Sequence, residues 1–299
     1  MLRFIAKIAA QNLLSTPVTR PLYVPLQRHV TRSVAVTPGR VRQKIDVGLL
    51  YADRMKDLGL PNMLDLGSIL EFGAGAHLTI PLLYARLGAR AQVVVDVRRW
   101  ARRDIVFAAV REVNRVSLGG RSPCLLPEPA DRSLDDYLNT LGIRYEAPIS
   151  LPLPVQSNSI GIFLCTQTLL HPPRSSVRAI FEEAARVLAR GGVFVATTHL
   201  YDLYSDYDRS LSRFNFLRYS HTVWERWINS SLMSYNRLRG SDYSALLQGL
   251  PFDPVLFQVT GPTDDDWKEL SRIRIHSDFA SYKLDDLAST HLFFILQKH

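Results

Sequence analysis

The chain has 299 residues, 46% of them hydrophobic and 21% charged, which is enough apolar material for one large domain or two smaller ones. The net charge of +8 comes from residues 1–45, which hold eight Lys or Arg and no acid, whereas residues 46–299 hold 28 of each sign. Because the remainder is balanced, composition gives no case for nucleic-acid binding. No apolar run reaches the roughly 18–20 residues that span a bilayer.

Residues 1–14 predict a short amphipathic helix, since Leu2, Ile5, Ile8 and Leu13 recur at helical spacing. Pro17 and Pro21 are expected to end it. So short a helix is marginal alone in water and needs a surface. That surface is either an anionic membrane interface, giving peripheral membrane association, or the chain's own core. An acid-free, Arg-rich start also suits a mitochondrial transit peptide.

The distribution of charge predicts two parts of unequal size, a basic arm over residues 1–45 and an α/β domain over residues 46–299. Residues 40–66 form a helical lead-in that either covers a ligand cleft or packs on the edge of the sheet. The two cysteines, Cys124 and Cys165, have no metal-site spacing, so we predict no metal. Cys165 lies in an apolar run, which indicates a buried thiol in a reducing, cytoplasmic compartment.

The stretch that organises the domain is a strand, a glycine turn and a helix. Ile69, Leu70 and Phe72 lead into Gly73-x-Gly75, and a helical pattern follows over residues 78–87. A nucleotide-like ligand lies across the carboxyl end of the strand in this arrangement. A second apolar run, 91–96, ends at Asp96, 21 residues after Gly75. Its carboxylate is placed to accept hydrogen bonds from two ribose hydroxyls.

The remaining elements alternate between helix and strand. Helices are predicted over 100–116, from Ser133 to near Gly142, and from Arg174 to Leu188 with a stop at Gly191-Gly192. Residues 121–133 form a loop. Further strands are predicted over 143–147, 160–165, 193–197, 255–259 and 291–296. The order predicts a Rossmann-like, seven-stranded, mostly parallel sheet with helices on both faces.

The Glu71-x-Gly73-x-Gly75 stretch resembles the first motif of class I S-adenosylmethionine-dependent methyltransferases. His77 stands where a dinucleotide fingerprint has Gly or Ala, which argues against a nicotinamide-dependent oxidoreductase. Three more stretches resemble the same family in order and spacing: 153–160, 168–171 and 182–192. Residues 201–243 resemble a bacterial methyltransferase subfamily with relatives among glycan- and polysaccharide-modifying enzymes.

The resemblance implies methyl transfer from S-adenosyl-L-methionine to a small-molecule or glycan-like acceptor. The cofactor-binding residues that it implies are Glu71, Gly73, Ala74, Gly75, Asp96 and Val97. A hydroxyl acceptor needs a general base, and the candidates by position are His171, His199, Asp202 and Asp208.

Three positions depart from the family pattern. Gly161 stands where the family has Asp, Leu170 stands where it has Glu, and Pro148-Ile149-Ser150 lacks the acid that binds the adenine amino group. These departures leave open a rival of another class, a non-catalytic binding or scaffold protein on a degenerate methyltransferase fold.

Residues 201–250 are predicted to form a helical lid rich in aromatic side chains. Residues 201–243 hold ten of the chain's 29 aromatics. Aromatic faces and arginine side chains suit a sugar or an anionic acceptor. Equally, the aromatics can form a local core of their own.

Overall fold

The computed structural model describes residues 2–14, 19, 35–119, 121, 123–129 and 131–299. Pro17, Pro21 and Gly120 lie outside this range. The α-helices of four residues or more, in chain order, are α1 Leu2–Leu14, α2 Pro38–Asp57, α3 Thr79–Arg86, α4 Arg103–Arg115, α5 Leu134–Thr140, α6 Arg174–Val187, α7 Gly240–Leu247, α8 Asp264–Ser271 and α9 Leu284–Ala288.

Seven strands form one sheet in the order β3-β2-β1-β4-β5-β7-β6. Strands β1 to β5 are parallel, and β7 pairs antiparallel with both β5 and β6. This Rossmann-like architecture confirms the fold class that the sequence predicts. The strands are β1 Ile69–Phe72, β2 Gln92–Val95, β3 Ile143–Glu146, β4 Ile160–Thr166, β5 Leu188–His199, β6 Phe252–Thr260 and β7 His291–Lys298.

The prediction that helix α6 runs on to a stop at Gly191-Gly192 is wrong. The helix ends at Val187, and β5 already pairs with β4 at Leu188. The pairing register shifts between Ile160 and Ile162, and Gly191 adopts a φ of 77°. A left-handed φ of this kind favours glycine, so the glycine pair forms an irregularity inside the strand rather than a turn before it.

Alternation along the strands divides the core into two layers, one on each face of the sheet. Ile69, Val94 and Leu164 face helices α2, α3 and α4, while Leu70, Val95 and Phe163 face α6 and α7. By the same alternation, the side chains of Glu71 and Asp96 point to the face that carries α2. The carboxyl ends of β1 and β4 lie at the switch point of the sheet, where connections leave in opposite directions.

Helix α1 lies on the domain's own surface, one of the surfaces that the sequence left open. Phe4 is 4% exposed, and its ring meets that of Tyr204 edge-on at 5.1 Å. Tyr204 also donates a hydrogen bond from its hydroxyl to Gln11 Oε1. None of the helices in the described ranges is long and apolar enough to cross a bilayer.

Residues 201–250 are less helical than predicted. Apart from α7, they contain 3-10 turns at Leu203–Asp206 and Asn215–Arg218, and one helical segment that passes from α form at His221–Val223 to π form at Trp224–Ile228. Most of the aromatic side chains here are buried, and they pack into a separate core together with Phe4. The local-core interpretation of these aromatics therefore describes the structure, and an open sugar platform does not.

Candidate ligand site at the carboxyl edge of the sheet

The turn after β1 depends on its two glycines. Gly73 and Gly75 have φ values of 83° and 70°, a region that side chains with a Cβ avoid. A Cβ on Gly73 would lie 2.4 Å from Thr168 Oγ1, so the loop after β4 packs directly against this turn. Over Gly75 the space is open: among the described residues, the nearest atom to an ideal Cβ is Lys44 Nζ, at 3.9 Å.

Asp96 joins the glycine turn, as its position at the end of β2 predicts. The Gly75 N–H donates to Asp96 Oδ2 at 3.4 Å, and the Arg98 N–H donates to Asp96 Oδ1 at 3.3 Å. Burial raises the pKa of Asp96 above its ordinary value. The next residue, Val97, is 58% exposed, whereas Ala74 is buried in the core.

Glu71, on β1, carries a buried carboxylate with an unsatisfied oxygen. Its side chain is 3% exposed, and Glu71 Oε2 accepts no hydrogen bond from any described residue. Burial raises the pKa of Glu71 to about 7, against the attraction of Lys44, which lowers it. An unpaired carboxylate oxygen in this position is costly unless a cationic or hydrogen-bonding partner occupies the space beside it.

Helix α2 covers this edge of the sheet and supplies two polar side chains that the sequence analysis passed over. Lys44 and Tyr51 are two turns apart, so they lie on one face of the helix. Tyr51 is fully buried, and its hydroxyl lies 2.6 Å from Thr197 Oγ1 and 3.3 Å from Thr166 Oγ1. Helix α2 packs on this face of the sheet through Val41, Ile45 and Met55, and its role in covering a ligand cleft stays a prediction.

Two further buried polar atoms lack partners at the ends of β4 and β5. Gln167 Oε1 and His199 Nδ1 have no hydrogen-bond partner among the described residues. Gln167 also holds a left-handed φ of 54°, which is uncommon for a residue other than glycine and is concentrated at functional sites. Together with Glu71 Oε2, these atoms lie at the carboxyl ends of three adjacent strands, β1, β4 and β5.

His199 has a second histidine as its neighbour. It pairs with His291 across β5 and β7, and the two ring centroids are 5.0 Å apart. Burial, with a contribution from His291, lowers the pKa of His199 to about 4, so its imidazole is neutral at pH 7. The ring of Tyr201 lies 4.9 Å from His199 and completes this cluster.

The other three candidate bases take part in hydrogen bonds with the chain itself. His171 Nδ1 lies 3.0 Å from the Ser234 carbonyl oxygen. Asp202 accepts hydrogen bonds from Tyr204 N–H and Asn215 Nδ2, and burial raises its pKa to about 6. Asp208 accepts hydrogen bonds from the backbone and hydroxyl of Ser210, which lower its pKa to about 2.

Lys44, Tyr51, Gln167 and His291 are residues of this edge that sequence reasoning missed. The apolar periodicity of residues 40–66 includes Tyr51 only as a packing position and assigns no role to Lys44. His291 comes next to His199 only through the antiparallel pairing of β7, which no local pattern predicts.

A small cavity lies beside His199, between the end of β5 and the residues that follow it. A cavity of about 20 Å3, lined by His199, Asp202 and Arg237 among others, has room for about one water molecule. The loop that follows the π segment reaches back to the sheet, where Arg98 Nη2 donates to the Ser231 carbonyl at 2.8 Å. Residues 201–235 therefore lie over the same end of the sheet as Glu71, Gln167 and His199. The cavity that they form beside His199 is too small for more than about one water molecule.

Two of the departures from the family pattern have a packing explanation. A Cβ on Gly161 would lie 1.7 Å from the Leu66 carbonyl oxygen, so no side chain fits there. Leu170 is 5% exposed and belongs to the core that residues 201–235 form with α1. Gly161 is moreover at the amino-terminal end of β4, away from the cleft.

Two of the stretches that resemble the methyltransferase pattern, residues 153–160 before β4 and residues 182–192 from α6 into β5, are joined to each other by hydrogen bonds. Glu183 Oε1 accepts from the Leu153 N–H at 2.6 Å, and Arg186 donates to both Glu183 and the Leu153 carbonyl. This arrangement explains why these stretches occur together, because one holds the other in place. Their role is structural.

A scan against models of protein families and a search of curated proteins found no match. Among solved structures, the chain is similar to geranyl diphosphate C-methyltransferase from Streptomyces coelicolor A3(2), in complex with Mg2+, geranyl diphosphate and S-adenosyl-L-homocysteine. The identity is 13%, the match covers 84% of this chain and 78% of that one, and the TM-score is 0.44.

Two further structures show the range of the likeness. The YcgJ protein from Bacillus subtilis is 16% identical over 78% of this chain and 92% of that one, with a TM-score of 0.41. The [4+2]-cyclase SpnF is 14% identical over 78% and 75%, with a TM-score of 0.43. These similarities concern the fold alone, so the chemistry has to be argued from the site.

Proposed function

We propose that this chain transfers a methyl group from S-adenosylmethionine to a small-molecule or saccharide acceptor. The observation that carries the proposal concerns three buried polar atoms at the ends of β1, β4 and β5, which have no hydrogen-bond partner in the described part of the chain: Glu71 Oε2, Gln167 Oε1 and His199 Nδ1. Leaving such a group unsatisfied costs about 1–3 kcal/mol. A ligand that pairs with them would recover this cost.

The residues around the glycine turn fit the donor. Glu71 would face its ammonium group, and Asp96 has lone pairs left for the ribose hydroxyls beyond the two N–H groups that it accepts. The exposed apolar surface of Val97 would pack against the base. Gly75 offers backbone without a Cβ, over which only Lys44 Nζ lies within 4 Å in the described structure.

When bound, the donor supplies a methyl group on a cationic sulfur, which an acceptor nucleophile takes by in-line displacement. The chain's contribution is then placement, exclusion of water and removal of a proton. His199 is the candidate by position for the last of these, because its imidazole is neutral at pH 7 and its Nδ1 has no hydrogen-bond partner among the described residues. Its pKa of about 4 makes it a weaker base than an ordinary histidine. Tyr201 and His291 would orient that hydroxyl.

The acceptor is proposed only as a class. The buried state of most aromatics in residues 201–243 lends no support to a large saccharide platform. A small hydroxyl-bearing molecule is therefore favoured over an extended glycan. Peripheral membrane contact through residues 1–14 is likewise less favoured than docking, because α1 buries Phe4 and Gln11 against its own domain.

One observation favours the second candidate, a binding protein that has lost catalysis. The Lys44 ammonium extends over the glycine turn and is attracted by both Glu71 and Asp96. A scaffold that no longer used a cationic donor could keep this lysine as a permanent counter-ion. Binding of S-adenosylhomocysteine without turnover of any acceptor would support this alternative.

Titration calorimetry with S-adenosylhomocysteine tests the proposal. The wild type should bind, and Asp96→Ala should weaken binding by roughly 10-fold or more, the value of a charged hydrogen bond. Asp253→Ala, on the outer strand β6, is the matched control and should bind like the wild type. No binding by the wild type, or equal binding by Asp96→Ala, would overturn the proposal.

A further inference from the structure

A short turn at residues 230–234, the clasp turn, is the part of the aromatic segment that returns to the sheet. Two backbone hydrogen bonds close it: the Ser230 N–H donates to the Met233 carbonyl at 2.9 Å, and the Met233 N–H donates to the Ser230 carbonyl at 3.3 Å. Helix α1 contacts its outer side, where Gln11 Nε2 donates to Met233 Sδ at 3.2 Å. The clasp turn is therefore a defined unit held between α1 and the sheet.

The clasp turn is bonded to the sheet on both sides of β1. On the β2 side, Arg98 Nη2 donates to the Ser231 carbonyl at 2.8 Å. On the β4 side, the Ser234 hydroxyl donates to the His171 carbonyl at 2.7 Å. Because β1 lies between β2 and β4, a turn bonded to both sides crosses the carboxyl end of β1. The glycine turn begins at this end of the strand.

Arg98 connects the clasp turn to the acidic end of β2. Its backbone N–H donates to Asp96 Oδ1 at 3.3 Å, while its guanidinium reaches Ser231 and lies 5.6 Å from the centre of the Trp100 ring. Burial raises the pKa of Asp96, and the N–H and the charge of Arg98 both oppose that rise. One residue thus contacts both the carboxylate proposed to hold the donor and the turn that crosses above it.

We infer that Arg98 is a latch, which holds the clasp turn closed across the donor site and slows the release of a bound donor. The inference rests on the proposed function and makes Arg98 a positioning residue, since it acts through the clasp turn and not on a reacting atom. A ligand beneath the turn leaves on this side only after the turn opens. Opening breaks the charged hydrogen bond between Arg98 and Ser231, so this bond is expected to govern dissociation more than association.

The experiment measures association and dissociation rates of S-adenosylhomocysteine by surface plasmon resonance, on the full-length wild type, Arg98→Met and Arg98→Lys. Arg98→Met keeps the apolar stem and should accelerate dissociation roughly 10-fold, with the association rate within about 2-fold of the wild type. Arg98→Lys keeps a charged donor and should restore part of the loss. Arg102→Met is the matched control, because Arg102 is exposed in the same loop and pairs with Asp104 at 3.8 Å. It should change neither rate.

Hydrogen exchange supplies the second readout. The amides of residues 230–234 should exchange faster in Arg98→Met than in the wild type, and S-adenosylhomocysteine should slow their exchange in the wild type only. Unchanged dissociation in Arg98→Met, unchanged exchange over the clasp turn, or a loss of affinity that lies wholly in association would overturn the latch. If the wild type binds the compound and the latch fails, the proposed function stands; if the wild type does not bind it, both fall.

Discussion

The backbone N–H of Gly75 donates a hydrogen bond to Asp96 Oδ2 at 3.4 Å, which ties the glycine turn after β1 to the acidic end of β2. These two positions lie 21 residues apart in the chain, and the parallel pairing of β1 with β2 brings them to one edge. Lys44 Nζ lies 3.9 Å from the position that a Cβ on Gly75 would occupy, so the lysine side chain extends over this turn. The predictions below test the turn, the buried charges and the docking of α1.

Gly73→Ala should destabilise the fold more than a glycine substitution in open space. The variant forces a Cβ into the left-handed region and into Thr168, so a cost of about 2–5 kcal/mol is expected. Gly249→Ala shares a similar φ of 75° and meets nothing within 4 Å, so it should cost only about 1–2 kcal/mol. Urea unfolding of both variants gives the comparison. Equal losses would show that Thr168 does not pack on the turn.

Glu71 should make the fold less stable as pH rises. The folded state raises the pKa of Glu71 from 4.5 to about 7, so folding favours its protonated form. The free energy of unfolding should therefore fall between pH 4.5 and pH 7 and stay lower above that, by about 3 kcal/mol in total. Glu71→Gln, which cannot ionise, should lose this dependence and be the more stable protein at pH 8.

The exposed Glu182→Gln on α6 is the control for that pH series and should follow the wild type at every pH. Denaturant unfolding at pH 4, 6 and 8 supplies the measurement. A Glu71→Gln variant less stable than the wild type at pH 8 would mean that the carboxylate is well paired in the folded state, contrary to its unsatisfied Oε2.

Phe4→Ala should destabilise the protein by about 2–4 kcal/mol, because the ring is buried in the core that α1 shares with residues 201–235. Ile5→Ala, next to it but 55% exposed, should change stability by less than about 0.5 kcal/mol. Thermal unfolding distinguishes the two. If Phe4→Ala were neutral and the protein bound anionic vesicles through residues 1–14, the membrane interpretation of this helix would replace docking.

His199 should stay neutral through the physiological range. Its imidazole, observed by NMR, should titrate near pH 4, well below the ordinary value of 6.5. In His291→Gln the titration should move upward, because the neighbouring imidazole contributes to the lowering. Titration of His199 near pH 6.5 would indicate a solvated ring and remove the argument for a buried proton acceptor.

Sequence reasoning predicted the strands well because each is an apolar run with clear ends, and Asp96 fell at the tip of β2 as expected. It failed at Gly191-Gly192, where pairing with β4 draws residues into β5 that look like a turn. Helix periodicity counts Tyr51 as an apolar position and ignores Lys44, so it indicates neither the hydrogen bonds of the Tyr51 hydroxyl nor the place of the lysine. His291 could not be found at all, since it reaches His199 only through the antiparallel return of β7.

The roles assigned to the aromatic segment show a similar limit. Counting rings in residues 201–243 detects a concentration of aromatics but not which way they face. In the structure Tyr204 and Trp224 face inward, and each is 1% exposed. The ring of Tyr204 contacts Phe4 of α1, and that of Trp224 contacts Phe216 and Tyr219. Burial depends on a helix about 200 residues earlier in the chain, which no local pattern records.

A crystal structure of the chain with S-adenosylhomocysteine tests the central claim most directly. The account predicts the adenosine between the Gly73–Gly75 backbone and Asp96, with the ammonium of the ligand at Glu71. A ligand bound elsewhere, or a cleft in which Lys44 remains in place and excludes the compound at saturating concentration, would contradict it.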